Sequence, residues 1–308
     1  MAGVTVADGA LRVAGTHTIF IPRGFNSVGV LYPEPYAHAM CTRMDPVTQR
    51  NLAAAEAAMT GQTEQQLLAM REKWRANTVR FQVSQGALAY EHARHLVAYT
   101  ARVLSVIRRA RAAGLIVIVS MQAESLGCTP LLSSGQKQKL PDRQTEAAWA
   151  QLAPSLRQVP GAMLEIFNEP NTQVACGNSS STSWTEWAYG CGGDDVGMVA
   201  LAGFVRKLAP GDVLLLDGDR NAETFAGFHS PPGIPANSAY AIHPYGYTDG
   251  PTDWNRRFGD FQNQGHAVVA TEWSETTGRF VKLHPYFDRF HPAAAHRRLR
   301  RAKELLQR

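Results

Sequence analysis

The chain has 308 residues, 44% of them apolar, enough for one large α/β domain with a buried core or for two small ones. No run of about 18 apolar residues occurs, so no helical membrane span is expected, and the start, Met-Ala-Gly-Val-Thr-Val-Ala-Asp, lacks the charged and apolar regions of a signal peptide. The formal charge of +5 belongs to one end: residues 279–308 hold nine Lys or Arg against Asp288 and Glu304, so the rest sums to about −2, and neither a nucleic-acid nor a membrane partner is expected.

Strand candidates appear in chain order at Phe20–Val28, Thr78–Ser84, Leu115–Gln122, Met163–Asn168, Val213–Asp217, Tyr240–Tyr245 and Val268–Trp273. They are short apolar runs bounded by turn formers, the pattern of strands buried on both faces of a parallel sheet. Between them, Leu67–Ala76, Ala93–Ala113, Thr145–Gln158 and Asp195–Leu208 repeat apolar residues at helical spacing, with Gly114 as a C-cap and Pro210-Gly211 as a breaker. Alternation of strand and helix means a parallel sheet. Seven such strands fit a (β/α)8 TIM barrel better than an open sheet, and no G-x-G-x-x-G follows the first strand to support a dinucleotide fold.

The eighth strand is incomplete or atypical. Phe280–Leu283 is a weak strand candidate too close to Trp273 for an intervening helix, and Leu299–Leu306 reads as a helix. Residues 1–278 therefore form the barrel domain and residues 279–308 an atypical basic tail. A barrel left open would expose the edges of strands one and seven, and either lower stability or a dimer covering that edge is expected.

Cys176 and Cys191 lie in the long segment after the fourth strand, and Cys41 and Cys128 in segments after the first and third. If those segments share one face, 176–191 and 41–128 are plausible disulfides, which fits a secreted or periplasmic protein; four reduced thiols are the alternative. No C-x-x-C or H-x-x-x-H spacing occurs, so no metal site is expected.

Two glutamates stand out because each closes an apolar run: Glu169 in Ala-Met-Leu-Glu-Ile-Phe-Asn-Glu-Pro and Glu272 in Ala-Val-Val-Ala-Thr-Glu. A carboxylate at a strand tip costs desolvation and gives the core nothing. Other polar groups gather at the strand ends: Arg80, Gln122, Asn168, His243 and Tyr245. In a barrel those ends face one mouth. The commonest chemistry needing two convergent carboxyls is glycoside hydrolysis, in which one carboxyl protonates the leaving oxygen and the other attacks the anomeric carbon.

Asn168-Glu169-Pro170 with Glu272, Arg80 and His243-x-Tyr245, in this order along the chain, resembles glycoside hydrolase family 5, the cellulase family of clan A. The resemblance runs from Arg23-Gly-Phe-Asn26 to Trp273. It implies a retaining β-glycanase without a cofactor, acting on a polysaccharide or oligosaccharide, with β-1,4-glucan the expected substrate and β-mannan the alternative. It implies Glu169 as acid/base, Glu272 as nucleophile, and supporting roles for Arg80, Asn168, His243 and Tyr245. Gln122 stands where the family usually has a His. Asn26 and Trp273 flank the same mouth, and Trp184, Trp187 and Trp254 are candidate sugar platforms in loops. The family also places a Trp on strand eight beneath the −1 sugar, and the last tryptophan here is Trp273. That gap keeps a second class open, a carbohydrate-binding protein with weak catalysis.

Overall fold

The computed structural model describes residues 3–27, 30–31, 64–123, 139–159, 161–177, 183–245 and 252–273 in full, and the backbone alone of 41–44, 128–130 and 251. The chain begins with an antiparallel hairpin, β1 (Val4–Ala7) and β2 (Ala10–Val13). Its turn is Asp8-Gly9, and both residues have positive φ, 49° and 66°. That is the twist a two-residue hairpin turn requires. A side chain at Gly9 would also meet the Gly265 carbonyl oxygen at 2.5 Å.

Seven parallel strands follow as one sheet: β3 (Gly24–Ser27), β5 (Thr78–Ser84), β6 (Ile116–Gln122), β8 (Ala162–Glu165), β9 (Val213–Asp217), β10 (Ser238–Ile242) and β11 (Val268–Ala270). They hydrogen-bond in that order, β3 to β11. β4 (Cys41–Met44) and β7 (Cys128–Pro130) pair antiparallel as a separate ribbon. The main sheet curls, and a hydrogen bond joins its two edges: the Asn26 amide on β3 donates to the Thr271 carbonyl just after β11, 3.3 Å away. This is a (β/α)8 TIM-barrel-type fold with seven strands among the described residues. The expected strand at Phe280–Leu283, the helix at Leu299–Leu306 and the whole of 279–308 lie outside the described residues.

Helices among the described residues include α1 (Glu64–Glu72), α2 (Gln85–Arg94), α3 (Ala98–Ala112), α4 (Arg143–Leu156), α5 (Thr172–Ala175), α6 (Trp184–Tyr189) and α7 (Gly197–Leu208). A last helical stretch contains a π turn at Asn255–Gly259. The single helix expected over Ala93–Ala113 is corrected to two. His95 caps α2 in the left-handed conformation, and its N–H returns to the Glu91 and His92 carbonyls, which breaks the run. The side chain of Glu91 then accepts the N–H groups of Tyr99 and Thr100 in the first turn of α3, at 2.6 and 2.9 Å. α4 opens on a capping box between Asp142 and Thr145.

Period-two alternation splits the strand residues into two layers. Val79, Phe81, Val117, Val119, Leu164, Leu214, Leu216, Tyr240 and Ile242 face the helices in the larger core. Ile116, Ile118, Met163, Val213, Leu215, Ala239, Ala241 and Val269 fill the interior, and Val4 and Leu11 of the hairpin join them. Two residues further along the same strands, the interior positions turn polar.

Candidate active site

The polar layer follows from that alternation. Arg80 and Gln82 on β5, Ser120 and Gln122 on β6, Glu165 on β8, Asp217 on β9, His243 after β10 and Thr271 after β11 continue the inward-facing series toward the strands' C-terminal ends. The tips bring Asn26, Asn168, Glu169, Tyr245 and Glu272 to the same mouth. Eight of these residues stand out in the sequence. Gln82, Ser120, Glu165, Asp217 and Thr271 do not, although two carry a signal: an acid inside Ala-Met-Leu-Glu-Ile-Phe and another ending Val-Leu-Leu-Leu-Asp.

Arg80 is the hub. It is 2% exposed, and its guanidinium donates to Glu165 and Glu272, to Asn26 Oδ1 at 3.1 Å, to Ser120 Oγ at 2.8 Å and to Asn168 Oδ1 at 2.7 Å. Burial opposes its charge, but Glu165 and Glu272 outweigh the burial and hold Arg80 more firmly protonated than usual. Around Glu272, the Gln82 amide donates to Oε1 at 3.0 Å and the Tyr245 hydroxyl to Oε2 at 2.6 Å. Burial alone would raise the Glu272 pKa; Arg80, His243 and the Tyr245 hydroxyl together bring it below the ordinary carboxylate value.

Glu169 has a left-handed backbone, φ 56°. Its N–H donates to Asp217 Oδ2 at 2.9 Å, and its Oε1 lies 3.0 Å from His243 Nδ1. On the other side of the ring, Nε2 lies 3.0 Å from Thr271 Oγ1, which itself donates to Glu165 Oε1 at 2.7 Å. Because the Thr271 hydroxyl hydrogen is donated to Glu165, its oxygen can only accept from His243, so Nε2 of His243 carries a hydrogen. Burial opposes a charge on His243, but the neighbouring carboxyls of Glu165 and Glu169 raise its pKa to about 10, so both ring nitrogens are protonated at neutral pH. Glu165 is held well below the usual range, because Arg80 and His243 overcome its burial. Asp217, equally buried, goes the other way: burial and the neighbouring Glu165 push it well up.

Among the described residues, two triads have atoms within metal-ligating reach: Glu165, Asp217 and His243, and Glu169, His243 and Glu272. Both share His243, whose nitrogens serve Thr271 and Glu169, and each contains a carboxylate already bound by Arg80.

Gln122 is 4% exposed and donates to Ser120 Oγ at 3.3 Å, while Trp273 stands 40% exposed beside Glu272. The expectation of sugar platforms at Trp187 and Trp254 is corrected. They are 0% and 1% exposed, because their rings fill the core between the sheet and the outer helices. Trp187 Nε1 donates to the Asp217 carbonyl at 3.0 Å, which fixes the end of β9. Trp184 packs edge-on against Phe228 and donates to the Ala226 carbonyl at 3.0 Å. Cys176 and Cys191 form a disulfide between the segments after α5 and α6. The proposed partner pair, Cys41 and Cys128, lies on the paired ribbon β4–β7, and its side chains fall outside the described residues.

Residues 42–283 match the sequence model of Cellulase (glycosyl hydrolase family 5). Similar solved structures include a β-glucanase from Saccharophagus degradans, at 17% identity over 95% of this chain and 82% of that one, with TM-score 0.63. An endoglucanase catalytic domain from Thermobifida fusca, solved with cellotetraose, has 17% identity over 96% and 81% and TM-score 0.60. A β-mannanase from Thermomonospora fusca, solved with mannotriose, has 18% identity over 94% and 82% and TM-score 0.60. No curated protein matches the chain. At these identities the structures speak to the fold, and the family rests on the sequence match over more than three quarters of the chain: this protein is a glycoside hydrolase of family 5.

Proposed function

We propose that the chain is an endo-acting, retaining β-glycanase for β-1,4-glucan, with Glu272 as nucleophile and Glu169 as acid/base. One observation carries the reading: carboxylate oxygens of Glu169 and Glu272 and a ring nitrogen of His243 lie within 4.8 Å of one another. Retaining enzymes hold their carboxyls about 5–5.5 Å apart, whereas inverting enzymes leave about 6.5–9.5 Å for a water. The two carboxyls also sit in different surroundings. Glu272 is gripped by Arg80, Gln82 and Tyr245, which suits a group that must be ionised and aimed. Among the described residues, the Glu169 side chain bonds to His243 through Oε1, which leaves Oε2 for the sugar.

In the first step an oxygen of Glu272 bonds to the anomeric carbon while the glycosidic C–O bond breaks and Glu169 delivers its proton to the departing oxygen. The charged His243 donates from Nδ1 to Oε1 of Glu169, so the transferable proton sits on Oε2. Water then attacks the anomeric carbon, Glu169 takes the proton, and Glu272 leaves as carboxylate. Asn168, held by Arg80, is available to the sugar 2-hydroxyl. The Cys176–Cys191 disulfide favours an exported protein.

A second reading, β-mannan as substrate, is favoured by the mannanases among the similar structures. Incubation with cellohexaose and with mannohexaose decides. Internal cleavage of cellohexaose, with a β-anomer as the first product by NMR, is expected. Cleavage of mannohexaose alone would move the substrate to mannan, and an α-anomer would end the retaining assignment.

A further inference from the structure

Below Glu169 lies a carboxyl that the two-step mechanism leaves without a task. Asp217 is 0% exposed at the end of β9. Its Oδ2 accepts the backbone N–H of Glu169 at 2.9 Å, while its Oδ1, among the described residues, has no hydrogen-bond partner. The residue it holds is under backbone strain. A φ of 56° is uncommon for any side chain but glycine and costs of order 1 kcal/mol or more. Such a conformation persists only where the surroundings enforce it, and the Asp217 bond is one contact that holds the Glu169 backbone N–H in place.

The neighbourhood fixes the charge state of this carboxyl. Besides Glu169, whose N–H it accepts, three ionisable side chains act on it: Glu165, His243 and Arg80. Asp217 Oδ2 and Glu165 Oε1 lie 3.7 and 3.6 Å from the same nitrogen, His243 Nε2. They do not compete on equal terms. Glu165 has the Arg80 guanidinium and the Thr271 hydroxyl as donors, whereas Asp217 has one neutral N–H. Two carboxylates sharing a dry site cannot both ionise cheaply, and the proton goes to the one with fewer donors. With Asp217 neutral, Arg80 and His243 balance Glu165 and Glu272.

We propose that Asp217 is a positioning residue for the acid/base Glu169: as a neutral, protonated carboxyl it pins the left-handed backbone of Glu169 and leaves Glu165 the anion beneath His243. The inference rests on the reading of Glu169 as acid/base. Asp217 touches no substrate; it acts by keeping the Glu169 carboxyl over the glycosidic oxygen and against His243 Nδ1.

The test compares Asp217→Ala, Asp217→Asn and Glu169→Ala on two probes, with and without sodium azide. One probe is cellotetraose, whose leaving group needs a proton. The other is 2,4-dinitrophenyl β-cellobioside, whose leaving group does not; mannosyl counterparts replace both if mannan is the substrate. Asp217→Ala is expected to lose about 10²-fold in kcat/KM on cellotetraose, within the range of general acid catalysis, and to keep most of its kcat/KM on the dinitrophenyl probe. Azide, which needs no general base, should raise its kcat on that probe and yield the β-glycosyl azide. Asp217→Asn, which keeps an oxygen for the Glu169 N–H and resembles the neutral acid, should restore wild-type rates and an unmoved pH profile.

A folded Asp217→Ala that loses both probes alike and ignores azide overturns the proposal. So does an Asp217→Asn whose pH profile shifts, since a neutral carboxyl has no charge to lose. If Asp217→Ala does not fold, the Asn profile decides alone. If Glu169→Ala itself ignores azide while Glu272 remains essential, the acid/base reading is what has failed, and this inference falls with it.

Discussion

Replacing Arg80 with Met removes the charge at the centre of the site and keeps most of the volume. Glu165 and Glu272, 0% and 8% exposed, then lose their shared donor. Breaking a buried pair by deleting one partner costs about 3–5 kcal/mol. An upper bound comes from protonation: each orphaned carboxyl can escape its cost by taking up a proton, at about 1.36 kcal/mol per pH unit above its ordinary pKa of 4.5. For two carboxyls that caps the charge cost at roughly 7 kcal/mol at pH 7 and roughly 1.4 kcal/mol at pH 5. The neutral bonds to Asn26, Ser120 and Asn168 add about 1–2 kcal/mol at either pH. Arg80→Met should therefore lose about 4–7 kcal/mol at pH 7 and about 2–3 kcal/mol at pH 5. Urea denaturation followed by tryptophan fluorescence, with wild type at each pH, measures the difference. Arg80→Lys keeps the charge but offers three donors to five acceptors, and should fall between. A loss below about 1 kcal/mol at pH 7, or equal losses at the two pH values, would refute the reasoning.

Cys176→Ser opens a loop of 15 residues and should cost about 3 kcal/mol by the chain-entropy account, read as a drop in the urea midpoint of the oxidised protein; an unchanged midpoint would count against it. The His243 pKa is raised from 6.5 to about 10, so the stability it contributes is fully present below pH of about 6.5 and lost as pH rises through about 10. The stability gap between wild type and His243→Gln should accordingly narrow from pH 7 to pH 10.5, and a constant gap would show that the ring is not charged in the native protein.

Legibility in the sequence tracked how local each determinant is. Thr78–Ser84 and Val213–Asp217 coincide with β5 and β9 because strands buried on both faces are continuous apolar runs with distinct ends. The hairpin β1–β2 carries the Asp8-Gly9 turn signal, but four-residue strands offer too few alternations to register beside it. The split between α2 and α3 rests on a left-handed His95 and on Glu91 reaching across the break, and neither alters hydrophobic periodicity. At the site, residues with motif neighbours, such as Asn168-Glu169-Pro170, were visible. Glu165 and Asp217 show in the sequence only as acids in apolar runs; that they point into the site follows from the parity of their strands, which needs the register between strands to recognise. Trp187 misled in the opposite sense, since a tryptophan in a polar segment reads as exposed until the short helix α6 turns it into the core.

The central claim, a covalent glycosyl intermediate on Glu272, is tested most directly by trapping it. A 2-deoxy-2-fluoro β-cellobioside with a dinitrophenyl leaving group slows both steps, and its activated leaving group lets the first still proceed, so the intermediate accumulates. Peptide mass spectrometry of the inactivated protein should place one fluorosugar on the peptide bearing Glu272. A label on Glu169 or Glu165, or a folded protein that turns over natural substrate yet takes no label, would contradict the account.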